Sequence, residues 1–218
     1  MLTRILLASG IVSSLLYVTT LVLGARRWEG YSSTSQSVSE LFAIGAPSAG
    51  LVVPLFVTYS VLIYAFGIGV WKSAGPTRVL RWTATGLIGK EILGVVVTLF
   101  FPMHMRGVEG TLTDVMHATL TFVGVLFMLL AIGSAATAFG KVFRRYSIVT
   151  ILLLVGGGTL AGLDAPRIEA NLPTPWAGVT ERVNILAYML WVVVLATALL
   201  RRQRLADATG LGGTRTSG

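Results

Sequence analysis

The sequence predicts an all-α fold: a polytopic membrane helix bundle of six transmembrane helices, with a short interfacial helix in the first outer loop. Two observations carry the prediction and a third orients it. Of 218 residues, 54% are hydrophobic and only 12% charged, with a mean hydropathy of +0.80, too apolar for a soluble domain of this size. The apolar residues gather into six runs, near 5–24, 50–71, 82–101, 115–139, 147–164 and 181–200. Each can cross a hydrocarbon core of about 30 Å at about 1.5 Å per helical residue. Finally, Arg4, then Lys72, Arg78 and Arg81, then Lys141, Arg144 and Arg145, then Arg201, Arg202 and Arg204 alternate with loops poorer in basic residues. That alternation puts both termini in the cytoplasm of a multi-pass cell-membrane protein.

The first run follows Arg4 and ends in "VLGARR", but its roughly twenty apolar residues exceed a signal-peptide core of about 7–15. We read it as a retained span, with Ser13, Tyr17 and Thr20 along one face. The loop "ARRWEGYSSTSQSVSELFAIGAPSAG" is rich in Ser and Gly, yet Ser37 and Glu40 have capping-box spacing, Val38, Leu41 and Phe42 share a face, and Gly45 and Pro47 supply a stop. A short interfacial helix is expected there, with Glu40 turned from its apolar side. The second span carries Pro54 and several hydroxyls. In the third, "GLIGKEILG", Gly86 and Gly89 permit close helix approach. Lys90 and Glu91 fall near the bilayer centre, where an ionisable group costs about 2.5–3.5 kcal/mol on insertion scales. Neighbours in a helix diverge by about 100°, so each is expected to pair with another helix rather than with the other.

The fourth span opens in "GTLTDVMHATL", where Thr111 and Asp114 can cap the helix and His117 lies one turn deeper, on the face of Asp114 and Thr121. The fifth ends in "GGGTLAGLDAPRIEANLPTPW", a glycine triplet followed by Asp164, three prolines and the interfacial aromatic Trp176. In the sixth, Glu181, Asn184, Tyr188 and Trp191 recur at three- and four-residue steps, a polar stripe that must face protein or a cavity. No internal repeat is evident. The domain is expected to span 1–204, with 205–218 a polar, Gly-rich, disordered cytoplasmic tail.

The net charge of +8 belongs to the cytoplasmic rim and points to anionic lipid rather than nucleic acid. The chain has no cysteine, which excludes disulfides, thiolate catalysis and Cys-ligated metal sites. Acids run the other way from the basic residues. Glu29, Glu40, Glu109, Asp114, Asp164, Glu169 and Glu181 fall on the outer side, Glu91 lies within a span and Asp207 is cytoplasmic. The positive-inside rule is largely indifferent to acids, so an outer polar pocket and ordinary loop solvation are both open explanations. Asp114 and His117 could be a general base with its orienter, a metal ligand with its supporting acid, or an interhelical hydrogen bond. His104 and His117 with one of Glu40, Asp114, Asp164 or Glu181 would make three ligands of an open zinc site, although no close-spaced metal motif is present.

The order "SELFA" after the first span, "FP" closing the third, a histidine early in the fourth and "GVTER" opening the sixth resembles the bacterial domain of unknown function 998 family. The resemblance covers nearly the whole chain and implies a six-span membrane protein. It picks out Ser39, Glu40, His117, Glu181 and Arg182. The family pattern often has an acid two residues after the proline of "FP", where this chain has His104.

The expected site therefore comprises Glu40, Asp114, His117 and Glu181 as catalytic candidates, and Ser39, Arg182, Asn184 and Tyr188 as substrate contacts. His104 and His117 are candidate ligands of a divalent metal such as zinc. One functional class is a membrane-embedded enzyme acting on a lipid or lipid-linked substrate. The alternatives are a transporter or lipid-binding protein using the buried Lys90 and Glu91, and a structural membrane partner.

Overall fold

The computed structural model describes residues 1–76 and 78–208. It contains six helices, α1 (Leu2–Arg27), α2 (Ala49–Lys72), α3 (Arg78–Phe100), α4 (Leu112–Ala136), α5 (Lys141–Glu169) and α6 (Ala177–Ala208). All six are long and apolar enough to cross a membrane, so the protein is a multi-pass helical membrane protein. Most helices outrun the expected apolar spans, because their hydrogen bonds continue past the hydrocarbon boundary. Thus α5 passes through Pro166 to Glu169, and α6 continues to Ala208. Residues 205–208 of the expected tail are therefore helical, and 209–218 lie outside the described residues.

The helices form a ring in which each packs on its sequence neighbours and α6 closes on α1. Arg4 of α1 and Asp207 of α6 form an ion pair at one end; the loops bearing the expected site lie at the other, called here the far end. Trp191, Tyr59, Tyr188, Phe66, Leu87 and Ile132 fill the interior. Between helices in lipid, cohesion comes from close packing and interhelical hydrogen bonds more than from water exclusion. Both are visible. A Cβ added to Gly86 would stand 2.7 Å from both Phe127 O and Ala131 N, so α3 and α4 meet backbone to backbone. Ser14 on α1 donates to Met189 O of α6 at 3.2 Å, and Ser9 donates to Leu62 O of α2 at 2.9 Å.

The segment joining α1 to α2 folds over the far end. Ser37 N–H donates to Glu40 Oε2 at 2.6 Å and Glu40 N–H to Ser37 Oγ at 3.3 Å, the reciprocal cap that the spacing predicts. What it starts is the short helix expected in this loop, a single 3-10 turn, Ser39–Phe42. Gly45 leaves it with φ 82°, a conformation that glycine adopts without steric cost. Val38, Leu41 and Phe42 are buried against Leu21, Val52 and Phe56, which ties the turn to α1 and α2.

Candidate far-end site

Glu40 turns from this apolar cluster, as expected, but meets protein instead of water. It is 1% exposed and accepts from Arg106 Nε at 2.6 Å and Nη2 at 2.9 Å. Paired N–H bonds from one guanidinium to one carboxylate are among the stronger polar contacts in proteins. Arg106 stands in the α3–α4 loop and also donates to Thr174 Oγ1 at 2.8 Å and Ser35 O at 2.8 Å. Thr174, in the α5–α6 loop, donates to Ser35 O at 2.9 Å. Three loops are thus joined at one guanidinium.

The start of α6 grips the same segment. Glu181 accepts from Val38 N–H at 2.6 Å. Arg182 donates through Nη1 to Ser33 O at 2.8 Å and Gln36 O at 3.0 Å, and through Nη2 to Tyr31 OH at 2.6 Å. Burial pushes the Tyr31 phenol up to about 12, opposed in part by its hydrogen bond to Arg182. The guanidinium of Arg182, expected as a substrate contact, is therefore occupied by backbone carbonyls and a phenol. Tyr31, Ser35, Arg106 and Thr174 were not among the expected site residues. The guanidinium in "FPMHMRG" was the one readable signal.

Asp114 and His117 do not bond to each other. Asp114 completes the α4 cap with Thr111 and accepts from His104 N–H at 2.8 Å, with His104 Nδ1 also 2.8 Å from its carboxylate. The first-turn carboxylate is drawn to the free N–H groups around it, which leaves His117 to find other partners. His117 is 8% exposed; its Nδ1 lies 2.9 Å from Phe101 O, just past the end of α3. A carbonyl can only accept, so Nδ1 carries the proton, and in the neutral ring Nε2 presents a lone pair. Nε2 lies 3.3 Å from Ser39 Oγ, whose hydroxyl can donate to it. The two histidines thus serve separate partners, and among the described residues no group of three His, Cys, Asp or Glu side chains could hold a metal ion.

The buried charges also differ from expectation. Lys90 Nζ pairs with the adjacent Glu91 Oε2 at 2.9 Å. The flexible lysine stem bends across the intervening helical angle, and in a medium of low dielectric the nearest opposite charge outweighs that angular cost. Other helices still contribute, since Ser60 Oγ donates to Glu91 Oε1 at 2.6 Å and Lys90 Nζ lies 5.3 Å and 5.7 Å from the ring centroids of Tyr59 and Tyr188. Tyr188 is fully buried, and its hydroxyl has no partner among the described residues. Asn184, one turn nearer the far end, braces α5. In the amide orientation that satisfies both atoms it donates to Leu153 O at 2.8 Å and accepts from Gly158 N–H at 3.0 Å.

Comparison with curated proteins and with solved structures finds no match. The model of the family described as "Protein of unknown function (DUF998)" matches residues 11–198. That match runs from the first turns of α1 almost to the end of α6 and includes every far-end residue described above, so the chain belongs to this family.

Proposed function

We propose that the far end carries the reaction centre of a membrane-embedded enzyme that cleaves or transfers an ester-type bond in a lipid or lipid-linked substrate, with Ser39 as nucleophile and His117 as its base. One observation carries the reading: His117 is held through Nδ1 by the Phe101 carbonyl so that Nε2 meets the Ser39 hydroxyl. A nucleophile, a base and a group orienting that base are the minimum set for covalent acyl transfer. Ser39 Oγ would attack the substrate carbonyl carbon while its proton passes to Nε2. That proton would then go to the leaving alcohol oxygen as the ester C–O bond breaks, and water would release the acyl group by the same relay. Glu40, Arg106, Glu181 and Arg182 act as positioning residues that fix the segment bearing Ser39. Phe100, Leu112 and Val115 are exposed at the ends of α3 and α4, which favours a substrate arriving from the lipid. On this reading the site faces outward, opposite cytoplasmic termini.

The test is labelling of the purified protein in mild detergent with a fluorophosphonate probe. Wild type should label at Ser39. Ser39→Ala should lose the label, and His117→Ala should slow labelling by about 10²-fold or more, in line with the usual contribution of a positioned base, with both variants eluting as folded protein. Labelling unchanged in His117→Ala would remove the assigned role.

A second reading, transport or lipid binding without chemistry, rests on the buried Lys90–Glu91 pair and the Tyr188 hydroxyl beside it, which has no partner among the described residues. Intramembrane ionisable groups commonly mark ion or proton routes. Glu91→Gln should then change proton- or ion-coupled flux in liposomes, and unaltered flux counts against it.

A further inference from the structure

A second feature lies at the opposite end of the bundle, where the chain termini meet. Gly140, Lys141, Val142, Phe143, Tyr146 and Val194 line a recess of about 560 Å³ between the start of α5 and the facing side of α6. Its walls are almost entirely carbon, yet Lys141 is among its lining residues and Arg144 and Arg145 follow one turn along α5. Lys141, Arg144 and Arg145 are exposed, and none makes an ion pair among the described residues. The first turn of α5 adds to the positive field, because its N-cap is Gly140 and no side chain caps it.

We infer that this recess is a binding site for an anionic phospholipid, the acyl chain lying along Val142, Phe143, Tyr146 and Val194 and the headgroup phosphate facing Lys141, Arg144 and Arg145. The orientation rule accounts for positive charge at this end as a whole. It does not account for an apolar slot with Lys141 in its lining and Arg144 and Arg145 one turn further along α5. A lipid supplies what each lacks: a chain for the slot and a phosphate for the cations. Basic recesses between membrane helices recognise acidic headgroups by this chemistry, and each basic residue near the surface adds about 1 kcal/mol.

Native mass spectrometry of the full chain in mild detergent tests the assignment, with phosphatidylglycerol and phosphatidylcholine of identical acyl chains as probes. Wild type should retain phosphatidylglycerol about tenfold or more in preference to phosphatidylcholine. Replacing Lys141, Arg144 and Arg145 together by Gln should erase that preference. Val194→Trp, which fills the recess but leaves every charge in place, should lose the bound lipid as well, so the outcome does not depend on the triple variant inserting normally. Equal retention of the two lipids by wild type overturns the inference, as does an unchanged preference in Val194→Trp. Thermal stabilisation by inorganic phosphate equal to that by phosphatidylglycerol would also overturn it, by assigning the cations to a free anion.

Discussion

Removing the Arg106 guanidinium should destabilise the protein more than any charge change on its surface. Glu40 is 1% exposed and takes two of its hydrogen bonds from Arg106, so Arg106→Ala strands a carboxylate out of water. Breaking a buried pair by deleting one partner typically costs about 3–5 kcal/mol. The lower end applies here, because the Arg106 side chain is 17% exposed and Glu40 keeps the N–H of Ser37. The lost bonds to Thr174 and Ser35 add about 1 kcal/mol each at most. A total of about 4 kcal/mol corresponds to a fall in Tm of roughly 10 °C for a chain of this size. Arg106→Lys keeps the charge but not the fork and should lose about half as much. The double change Glu40→Gln with Arg106→Met removes both charges and should recover most of the stability. The assay is the fraction of protein remaining monodisperse by size exclusion after heating in detergent. If Arg106→Ala melts within about 2 °C of wild type, or no lower than the exposed control Arg27→Ala, Glu40 does not depend on Arg106 and the reasoning fails.

Two further outcomes follow from the bundle itself. Gly86→Ala should force α3 and α4 apart, since the new methyl meets the α4 backbone at both Phe127 and Ala131, at a cost of about 1–3 kcal/mol; heat denaturation in detergent checks it, and an unchanged Tm would mean that the helices separate freely. Lys90→Met should cost about 3–5 kcal/mol by leaving Glu91 buried alone, and adding Glu91→Gln should restore most of it; a double variant as weak as the single one would show that the pair is not what Lys90 serves.

The architecture was legible because lipid imposes it: only a helix satisfies its own backbone across the hydrocarbon layer, so run length and basic-residue alternation specify six spans. Local capping was legible too, since Ser37 with Glu40 and Thr111 with Asp114 act over three residues. What could not be read was which distant groups those carboxylates would meet. Asp114 and His117 share a helical face, yet competition from His104 N–H and the Phe101 carbonyl separates them. For Lys90 beside Glu91 the cause is the opposite: a long side chain reaches across the helical angle that separates neighbours. Arg106 has no periodicity to mark it, because it is a loop guanidinium whose partners, Ser35, Glu40 and Thr174, all lie far away in the chain.

The segment from Tyr31 to Glu40 also sets an order of assembly. It leaves the ribosome right after the first helix, but the groups that hold it arrive in stages: Arg106 after the third helix, then Thr174, Glu181 and Arg182 with the sixth. Until then the Ser33 carbonyl and the N–H of Val38 must be satisfied by water. A chain halted before residue 174 therefore leaves this stretch loose at the membrane surface and open to proteases, whereas a finished chain ties it to Arg106, Thr174, Glu181 and Arg182. Cleavage within 31–40 thus reports, without any knowledge of substrate, whether the last helix has been inserted.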